Sequence, residues 1–561
     1  MVDLLGQWAK YPAFHDRVLS MIGIEVHWAI LQYVVGLSFI AFVAYMVYLK
    51  TGDKKWEKLA YTIFKGFVMV FAVGAATGTA SEFGLVLLWP NLTEAAGRYI
   101  YFPLYAEVFA FLLEVVFVYL TFYGWKKFGK KAMVVLLLLS FIGPWYSAAM
   151  IVSVNSYMVA PTGIVPAYDP STGAWLYDQG YPKITLVVPN DLVEALNVSL
   201  LQTLGMTVKG TLGDAVIVEM PSRIVQRLAY EAWSGHTVKD SILALVANKD
   251  YVKAHPEILD VPVKAIVDKI LVRTVEYAGV EVVTFKSPVY TASILHVIGS
   301  ALTVSAFTML GAYALRIKRY GKASSEYKDY IDSAFKFAAV FALVIIALQG
   351  FVFGHEMGVS IAHYNPEKFS AMEATTSKIT PLTKLMPGAE KLAAFLAYGD
   401  PNAPLPNYDE IPDNYCACQA TLGDDMARIG TCKPPLIIHY LYYTKIGLGV
   451  LLGLYALIVV FYLWRSGVSG VPGWLLALGP VALVVAQIVS YFGWAVREIG
   501  RKPWTIYGVM TPDVAHTANP ASTAAVALVA LFFIVVLAAL GYSVYRFLWV
   551  PGRPEEEEVM A

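Results

Sequence analysis

The sequence is poor in charged residues. Asp, Glu, Lys and Arg make up 15% of its 561 residues, whereas a soluble domain averages about 25%. Hydrophobic residues account for 58% of the chain, so the composition excludes an ordinary soluble protein and predicts an integral membrane protein. Basic and acidic residues number 42 each, and this zero net charge argues against a nucleic-acid-binding or polybasic surface role.

Two further absences narrow the class of protein. Internal repeats and low-complexity tracts are missing apart from the acidic tail Glu555–Glu558, which we interpret as a solvated end. Met1–Arg17 is polar and amphipathic, and the first long apolar run begins near Ile22. We therefore expect no cleavable signal peptide.

Nine stretches are long and apolar enough to cross a bilayer, whose core of about 30 Å needs about 20 helical residues. Lysine and arginine cluster after the first, third, fifth, seventh and ninth stretches, so the positive-inside rule predicts an outer N-terminus and a cytoplasmic C-terminus. The predicted fold is an all-α, multi-pass protein of the plasma membrane, embedded in the lipid bilayer. The predicted spans are 22–49, 62–89, 98–124, 132–158, 290–315, 333–354, 436–464, 472–495 and 520–547.

Two long outer segments interrupt the spans. The first alternates strand-like and helix-like runs. We predict strands over 183–189, 214–220 and 280–285 and helices over 190–206, 222–233 and 260–279, which together form a small α+β extracytoplasmic insertion. It contains no catalytic motif, and a docking or shielding role is the simplest interpretation. The predicted organisation is 1–162 with spans one to four, the insertion 163–288, 289–354 with spans five and six, the outer segment 355–435, and 436–561 with the last three spans and a cytoplasmic tail.

The outer segment 355–435 is polar, rich in proline and glycine, and holds all three cysteines, Cys416, Cys418 and Cys432. Outside the cell, a disulfide between Cys432 and one of the other two is favoured over zinc, which would need a fourth ligand. The remaining thiol has no assigned role.

The third span contains two carboxylates, Glu107 and Glu114, among apolar and aromatic residues of Pro103–Gly124. A separation of seven residues corresponds to about 700° of rotation and about 10 Å of rise, so both acids share one helix face. Because an ionised carboxylate in hydrocarbon is costly, such groups face a bundle interior and serve an ion, a proton or a cofactor. The alternative is two acids near helix ends that reach for water.

Three further ionisable residues lie at similar depth toward the outer side: His27, His296 and Lys445. A lone histidine in an apolar helix is usually a satisfied interior group, but two at matching depth near carboxylates also indicate metal or haem ligation. A buried lysine either pairs with an acid or loses its proton and can then act as a ligand. Arg501 and Trp504, in GRKPWTI, could bind haem propionates or anchor the chain at the membrane surface.

Several motifs then resemble those of subunit I of the cytochrome bd-type quinol oxidases. They are GAATGTASEFG (Gly74–Gly84), PLYAEVFAFLLE, SAAMIVSVNSYMVAPTG (Ser147–Gly163), GHEMG (Gly354–Gly358), KFSAME (Lys368–Glu373) and GRKPW. The resemblance covers all nine spans and excludes the 163–288 insertion, so the chain resembles a divergent member of the family. It implies a quinol-binding outer loop in 355–435.

The resemblance also implies haem-associated roles. His27 corresponds to the ligand of a high-spin haem of the active-site pair, and His296 to a ligand of low-spin haem b. Glu107 and Glu114 correspond to the acids beside the paired haems, and Ser147 to a hydroxyl on the proton path.

The function that this resemblance implies is a terminal oxidase subunit that oxidises quinol near Lys368 and Glu373 and reduces dioxygen to water. The implied cofactors are low-spin haem b and one or two high-spin haems, of type b or d, and the implied partner is a second membrane subunit. A haem-poor paralogous subunit is the alternative. A proton-coupled transporter is less favoured, because inverted repeats with broken helices are not found.

Two positions depart from the family pattern. The methionine that is the second ligand of the low-spin haem falls on Lys445, and a glutamate ligand of a high-spin haem falls on Gly508. Lys445 would then ligate iron together with His296, or stay charged and pair with a propionate or an acid. The second high-spin haem would use another group, with Glu107 ahead of His516, or water, or be absent.

Overall fold

The computed structural model describes residues 14–270, 276–277, 280–281, 286–320, 324–413, 415, 433–517 and 521–545. The cysteines, for which a disulfide was predicted, lie outside these residues, and so does the acidic tail. Within the described residues, nine helices are long and apolar enough to cross a membrane, which confirms the predicted number.

The first four helices form two consecutive pairs joined by short turns. They are α1 (Phe14–Thr51), α2 (Lys54–Leu88), α3 (Pro90–Gly124) and α4 (Lys130–Val159). Asp53 caps α2, because its side chain accepts a hydrogen bond from the Lys55 amide. Helix α1 begins eight residues before the predicted span, since its polar start is covered: Asp16 is fully buried and accepts a hydrogen bond from the Ala521 amide.

The inserted segment is a small α+β unit, as predicted. Its antiparallel four-stranded sheet has the order β1-β4-β6-β5, and β2-β3 and β7-β8 form two small ribbons. The strands are β1 (Ile164–Val165), β2 (Tyr168–Asp169), β3 (Ala174–Trp175), β4 (Lys183–Pro189), β5 (Thr207–Leu212), β6 (Ala215–Pro221), β7 (Glu276–Tyr277) and β8 (Val280–Glu281). The helices are α5 (Asn190–Glu194), α6 (Val198–Thr203), α7 (Ser222–Trp233), α8 (Ile242–Val246), α9 (Lys249–Ala254) and α10 (Val263–Ile270).

Three details of the insertion differ from the prediction. The helix predicted over 190–206 is divided into α5 and α6, because Asn197 caps a new helix by accepting a hydrogen bond from the Leu200 amide. Strand β5 was missed, since it is a largely exposed edge strand with little apolar alternation. The helix predicted to continue to Gly279 is wrong at β7.

The remaining helices complete the membrane bundle. They are α11 (Tyr290–Tyr320), α12 (Ser325–Leu348), α13 (Gly354–Tyr364), α14 (Pro366–Glu373), α15 (Ala389–Tyr398), α16 (Ile437–Ser466), α17 (Gly473–Ala477), α18 (Gly479–Ile499), α19 (Pro512–Ala515) and α20 (Thr523–Val544). A π-helical turn, Gln349–Phe353, joins α12 to α13, so the span predicted to end at 354 continues as helix to Tyr364.

The apolar core has a membrane part and two parts beyond it. One is formed by the insertion, which packs on the ends of α3 and α4 and on the chain after α18. The other joins α13 and α14 to the segment 496–507 and to the start of α16. The fold therefore brings α14 and the GRKPW segment together.

Helices α11 and α18 approach each other closely at Gly311. A Cβ there would lie 2.7 Å from the carbonyl oxygen of Gly479, a contact typical of small residues between membrane helices. We expect Gly311→Ala to destabilise the protein by about 1–3 kcal/mol through overpacking. Thermal unfolding followed by tryptophan fluorescence measures this loss. Gly453→Ala is the control, because nothing lies within 4 Å of the added carbon, and equal stability of the two variants would contradict the expectation.

Candidate functional site

His27 lies on α1 and faces α2. Its Nδ1 is 3.1 Å from the Thr77 hydroxyl oxygen, and that hydroxyl also lies 3.1 Å from the carbonyl oxygen of Gly74. If the hydroxyl donates to the carbonyl oxygen, it accepts a hydrogen bond from Nδ1–H and leaves Nε2 as the basic nitrogen. This is the arrangement that an iron-ligating histidine requires.

His296 on α11 is held by Gln349 at the start of the π-helical turn. The amide nitrogen of Gln349 lies 3.2 Å from Nδ1 and 3.0 Å from the His296 carbonyl oxygen. The amide oxygen of Gln349 is buried and has no hydrogen-bond partner among the described residues. The amide nitrogen thus donates to the carbonyl oxygen and faces Nδ1 as a second donor, which makes Nδ1 an acceptor and leaves the ring proton on Nε2. Iron ligation through Nε2 would need the other tautomer, so it stays a prediction.

Lys445 lies on α16 between its own tyrosines and α18. Its ammonium nitrogen is 5.3 Å from the ring centroid of Tyr442, and its side chain passes Gly493 of α18. Within the described part of the chain, no carboxylate lies within ion-pair distance of this nitrogen. The geometry therefore does not support an ion pair between Lys445 and an acid of the protein. Pairing of Lys445 with a haem propionate and its ligation of iron stay predictions.

The paired acids of α3 both face α4. Glu107 accepts a hydrogen bond of 3.0 Å from the Ser147 hydroxyl, and its second oxygen is buried without a partner among the described residues. Glu114 is 7% exposed and lies against Gly143, where a Cβ would come within 2.7 Å of its Cγ. The shared face is as predicted, and the alternative that these acids reach for water is wrong for Glu114.

Arg501 provides a buried cation at the end of α18. One guanidinium nitrogen donates to Glu498 at 2.6 Å, while Nε and Nη1 are buried without partners in the described residues. Such nitrogens are costly to bury unless an acceptor binds them, and a carboxylate fits their fork geometry. The site therefore fits a haem propionate.

Trp504 does not anchor the chain at the membrane surface. Its side chain is 1% exposed, and its indole N–H donates to the Tyr415 hydroxyl at 3.3 Å. Trp504 and Arg501 line one small cavity together with Lys368, so the GRKPW motif and the predicted quinol-binding lysine belong to the same site.

Helix α14 is buried along its whole length. The ammonium nitrogen of Lys368 lies 3.5 Å from the Arg497 carbonyl oxygen, and a Cβ at Gly500 would come within 2.7 Å of its Cε. Burial lowers the pKa of Lys368 well below its ordinary value, and the nearby Arg497 adds to this effect. An amine in this position can bind a substrate hydroxyl or give up its own proton.

Glu373 is the last residue of the same helix and lies on a different side of it from Lys368. Its side chain is 6% exposed and accepts a hydrogen bond of 2.5 Å from the Tyr443 hydroxyl of α16. Burial raises the pKa of Glu373 to about 7, although the Tyr443 hydrogen bond acts in the opposite direction. Lys368 and Glu373 thus contact different elements, and the structure does not bring them together as an ion pair.

Glu367 and the network around Arg497 lie next to this site and were not predicted from the sequence. Glu367 is fully buried and accepts hydrogen bonds from the Tyr177 and Tyr507 hydroxyls. Arg497 donates to Asn155 and, at 3.0 Å, to Ser293. The sequence signal available for Arg497 was the charged run REIGRK. The predicted eighth span ended before this run, whereas α18 continues to Ile499.

Gly508, the position of the missing glutamate ligand, packs against the insertion. It has a φ of +72°, and a Cβ there would lie 2.4 Å from the side chain of Ile164. Its carbonyl oxygen accepts a hydrogen bond of 3.2 Å from the Gln226 amide. A larger side chain has no room at this position, so a ligand would have to come from elsewhere.

The described residues form a multi-pass membrane protein with nine candidate spans. Its helices enclose buried polar sites that contain histidines, carboxylates and cations. The family model described as "Cytochrome bd terminal oxidase subunit I" matches residues 16–191 and 270–550. The chain belongs to this family, and the unmatched 192–269 fall within the insertion. It is therefore a subunit of a respiratory terminal oxidase that oxidises quinol in the cell membrane, and the family implies haem cofactors and a subunit II.

Individual relatives agree with this assignment. The chain is 24% identical over 541 residues to the "Putative cytochrome bd menaquinol oxidase subunit I" of Bacillus subtilis (strain 168), covering 94% of this chain and 93% of that protein. It is 31% identical over 138 residues to cytochrome bd-II ubiquinol oxidase subunit 1 of Escherichia coli (strain K12), which is 24% of this chain and 27% of the relative. The solved bd oxidase from Geobacillus thermodenitrificans shares the fold, with a TM-score of 0.64 and 21% identity over 96% of this chain and 98% of that one.

Lys445→Met tests the role of the lysine. If the neutral amine ligates iron, the low-spin haem band should persist in the variant with a shifted reduction potential, because a thioether is a softer donor. Absorption spectra and a redox titration of the purified oxidase measure both quantities. Lys391→Met, at an exposed position, should leave them unchanged. If the haem is high-spin in the wild-type protein and low-spin in Lys445→Met, then the lysine is not an iron ligand.

Proposed function

We propose that this chain oxidises quinol beside α14, passes the electrons inward to haem, and contributes to the reduction of dioxygen to water. The observation that carries the proposal is the shared cavity of Lys368, Arg501 and Trp504, where a substrate-binding amine meets a guanidinium with two unpartnered nitrogens. Without haem, those nitrogens would have no acceptor in the part of the chain that the structure describes.

At the quinol site, Lys368 holds one substrate oxygen and Glu373 takes a proton from a quinol hydroxyl. A base is most effective when its pKa lies near the working pH, and burial places the pKa of Glu373 at about 7. Because Tyr443 donates to Glu373, its hydroxyl fixes the orientation of the carboxylate. Menaquinol is the favoured substrate, since the relative that matches over 94% of this chain carries that name.

His27, His296 and Lys445 are the residues that would hold haem iron, and Arg501 would hold a propionate. When bound, haem supplies the one-electron redox steps and the oxygen chemistry. His296 and Lys445 are assigned to the low-spin haem b, and His27 to a high-spin haem of type b or d. Glu107 ranks ahead of His516 for any further iron, because its second oxygen is buried without a partner in the described residues.

Protons for oxygen reduction reach the interior through Ser147, Glu107 and Glu114. The Ser147 hydroxyl donates to Glu107, and both acids face α4. The proposed orientation has the N-terminus outside, because the basic residues follow the odd-numbered spans. The insertion and α14 would then face the exterior, and the protons enter from the cytoplasm.

Glu373→Ala should lower quinol oxidation by about 100-fold, the lower end of what a positioned base contributes. Since the carboxyl must be ionised to accept a proton, wild-type turnover should rise with pH through about 7, and this step should vanish in the variant. Turnover with an artificial donor that reduces the haem directly should stay near the wild-type rate. Glu390→Ala, exposed in the same outer segment, is the control. Equal losses with both donors would give α14 a structural role.

Glu114→Gln should slow oxygen reduction by about 100-fold or more while most haem stays bound. The amide fills the same space against α4 but cannot relay a proton. Oxygen consumption with the artificial donor and haem content from spectra measure the two effects. Glu326→Gln, at the exposed start of α12, is the control, and wild-type turnover of Glu114→Gln would exclude the proton role.

A further inference from the structure

The oxidation of a quinol releases two protons as well as two electrons. Both O–H bonds of the ring break, and the electron pair passes to haem iron one electron at a time. In the proposed function, Glu373 takes one of these protons. The second proton needs another acceptor, and in a buried site that acceptor has to be built into the protein.

Glu367 is a second buried carboxyl on α14. It is 0% exposed and is held by two neutral donors: the Tyr177 hydroxyl at 2.9 Å and the Tyr507 hydroxyl at 2.5 Å. Within the described residues, no cation lies at ion-pair distance from it. The charged and titratable groups that line the same cavity are Lys368, Arg501, Lys502, Tyr415 and Tyr507.

The position of Glu367 separates it from Glu373. Six residues along a helix correspond to about 9 Å of rise and about 600° of rotation, so the two acids lie at opposite ends and on different sides of α14. Lys368 follows Glu367 directly and shares its cavity. Lys368 thus lies between the two acids along α14, and the proposal assigns one hydroxyl of the quinol ring to each acid.

Tyr177 is one of the two tyrosines that contact this buried carboxyl. It belongs to the segment inserted after α4 and is 190 residues away in sequence, yet its hydroxyl donates directly to Glu367. Glu367 itself is inaccessible, whereas Tyr177 is partly exposed. Tyr507, the other donor, is 3% exposed, so Tyr177 is the more exposed of the two hydroxyl-bearing side chains that contact Glu367.

We propose that Glu367 is the second proton acceptor of the quinol site and that Tyr177 passes its proton to water. One quinol O–H bond breaks and an O–H bond forms on the Glu367 carboxylate. The Tyr177 oxygen then accepts that proton while its own proton leaves to solvent, so both groups return to their starting state. This inference rests on the proposed quinol site at Lys368 and Glu373.

The test compares Glu367→Gln and Tyr177→Phe with the wild-type oxidase, purified with its partner subunit and haem, using menaquinol as the donor. For Glu367→Gln we expect a fall in kcat of about 100-fold with little change in KM, because proton removal rather than binding is impaired. Its rate should keep rising with pH where the wild type levels off, since solution must supply the base. Tyr177→Phe should show the same change in pH profile with a smaller loss.

The controls separate this inference from the proposed function. Glu390→Gln, exposed in the same outer segment, should behave as the wild type, and the direct haem donor should be used normally by all variants. If Glu367→Gln and Tyr177→Phe keep the wild-type pH profile while Glu373→Ala is impaired, this inference is wrong and the proposed quinol site still stands. If Glu373→Ala loses both donors equally, the quinol site itself is wrong. Should Glu367→Gln fail to fold, Tyr177→Phe decides, because it removes a single hydroxyl.

Discussion

The architecture depends on satisfying cations that are buried at the end of α18. A guanidinium that is removed from water needs an acceptor for each of its N–H groups. Without acceptors, the lost free energy of hydration is not replaced and the folded state is destabilised. Arg497 meets this requirement by donating to Asn155 of α4, Ser293 of α11 and Ser156 of α4. These contacts fix α18 against two other membrane helices. Arg501, one turn later, donates to one carboxylate, while its Nε and Nη1 have no partner among the described residues, which is why the proposed function assigns a haem propionate to them.

The insertion is tied to the same region. Gln226 of α7 binds the carbonyl oxygen of Gly508, and Ile164 of β1 occupies the space that a side chain at 508 would fill. Tyr177 reaches Glu367 from the same segment. The insertion therefore contacts both α14 and the segment after α18. Its docking or shielding role stays a prediction.

The spans could be predicted from sequence because length and apolarity are local properties. Their ends could not, since α1 continues through polar residues that neighbouring elements cover, as Asp16 shows, and α12 begins eight residues before its predicted span. The sequence indicated His27, His296 and the paired acids because a polar residue in an apolar run is conspicuous. Glu367 was not indicated, because it lies in a polar stretch and its partners Tyr177 and Tyr507 are 190 and 140 residues away.

Helix α14 shows why this polar stretch is nevertheless ordered. Eight residues are too few for a stable isolated helix, so tertiary contacts must hold it. The Asn365 side chain before it donates to the Val159 carbonyl oxygen at 2.9 Å, and Ala374 after it turns into the left-handed region with a φ of 50°. Every residue between them is buried. The ionisable groups of α14 are thus fixed in orientation by the fold itself, so their protonation is governed by burial and, for Glu367 and Glu373, by the tyrosines that contact them. A site that moves protons and electrons together gains from such fixed geometry, because little reorganisation is left for the reaction itself.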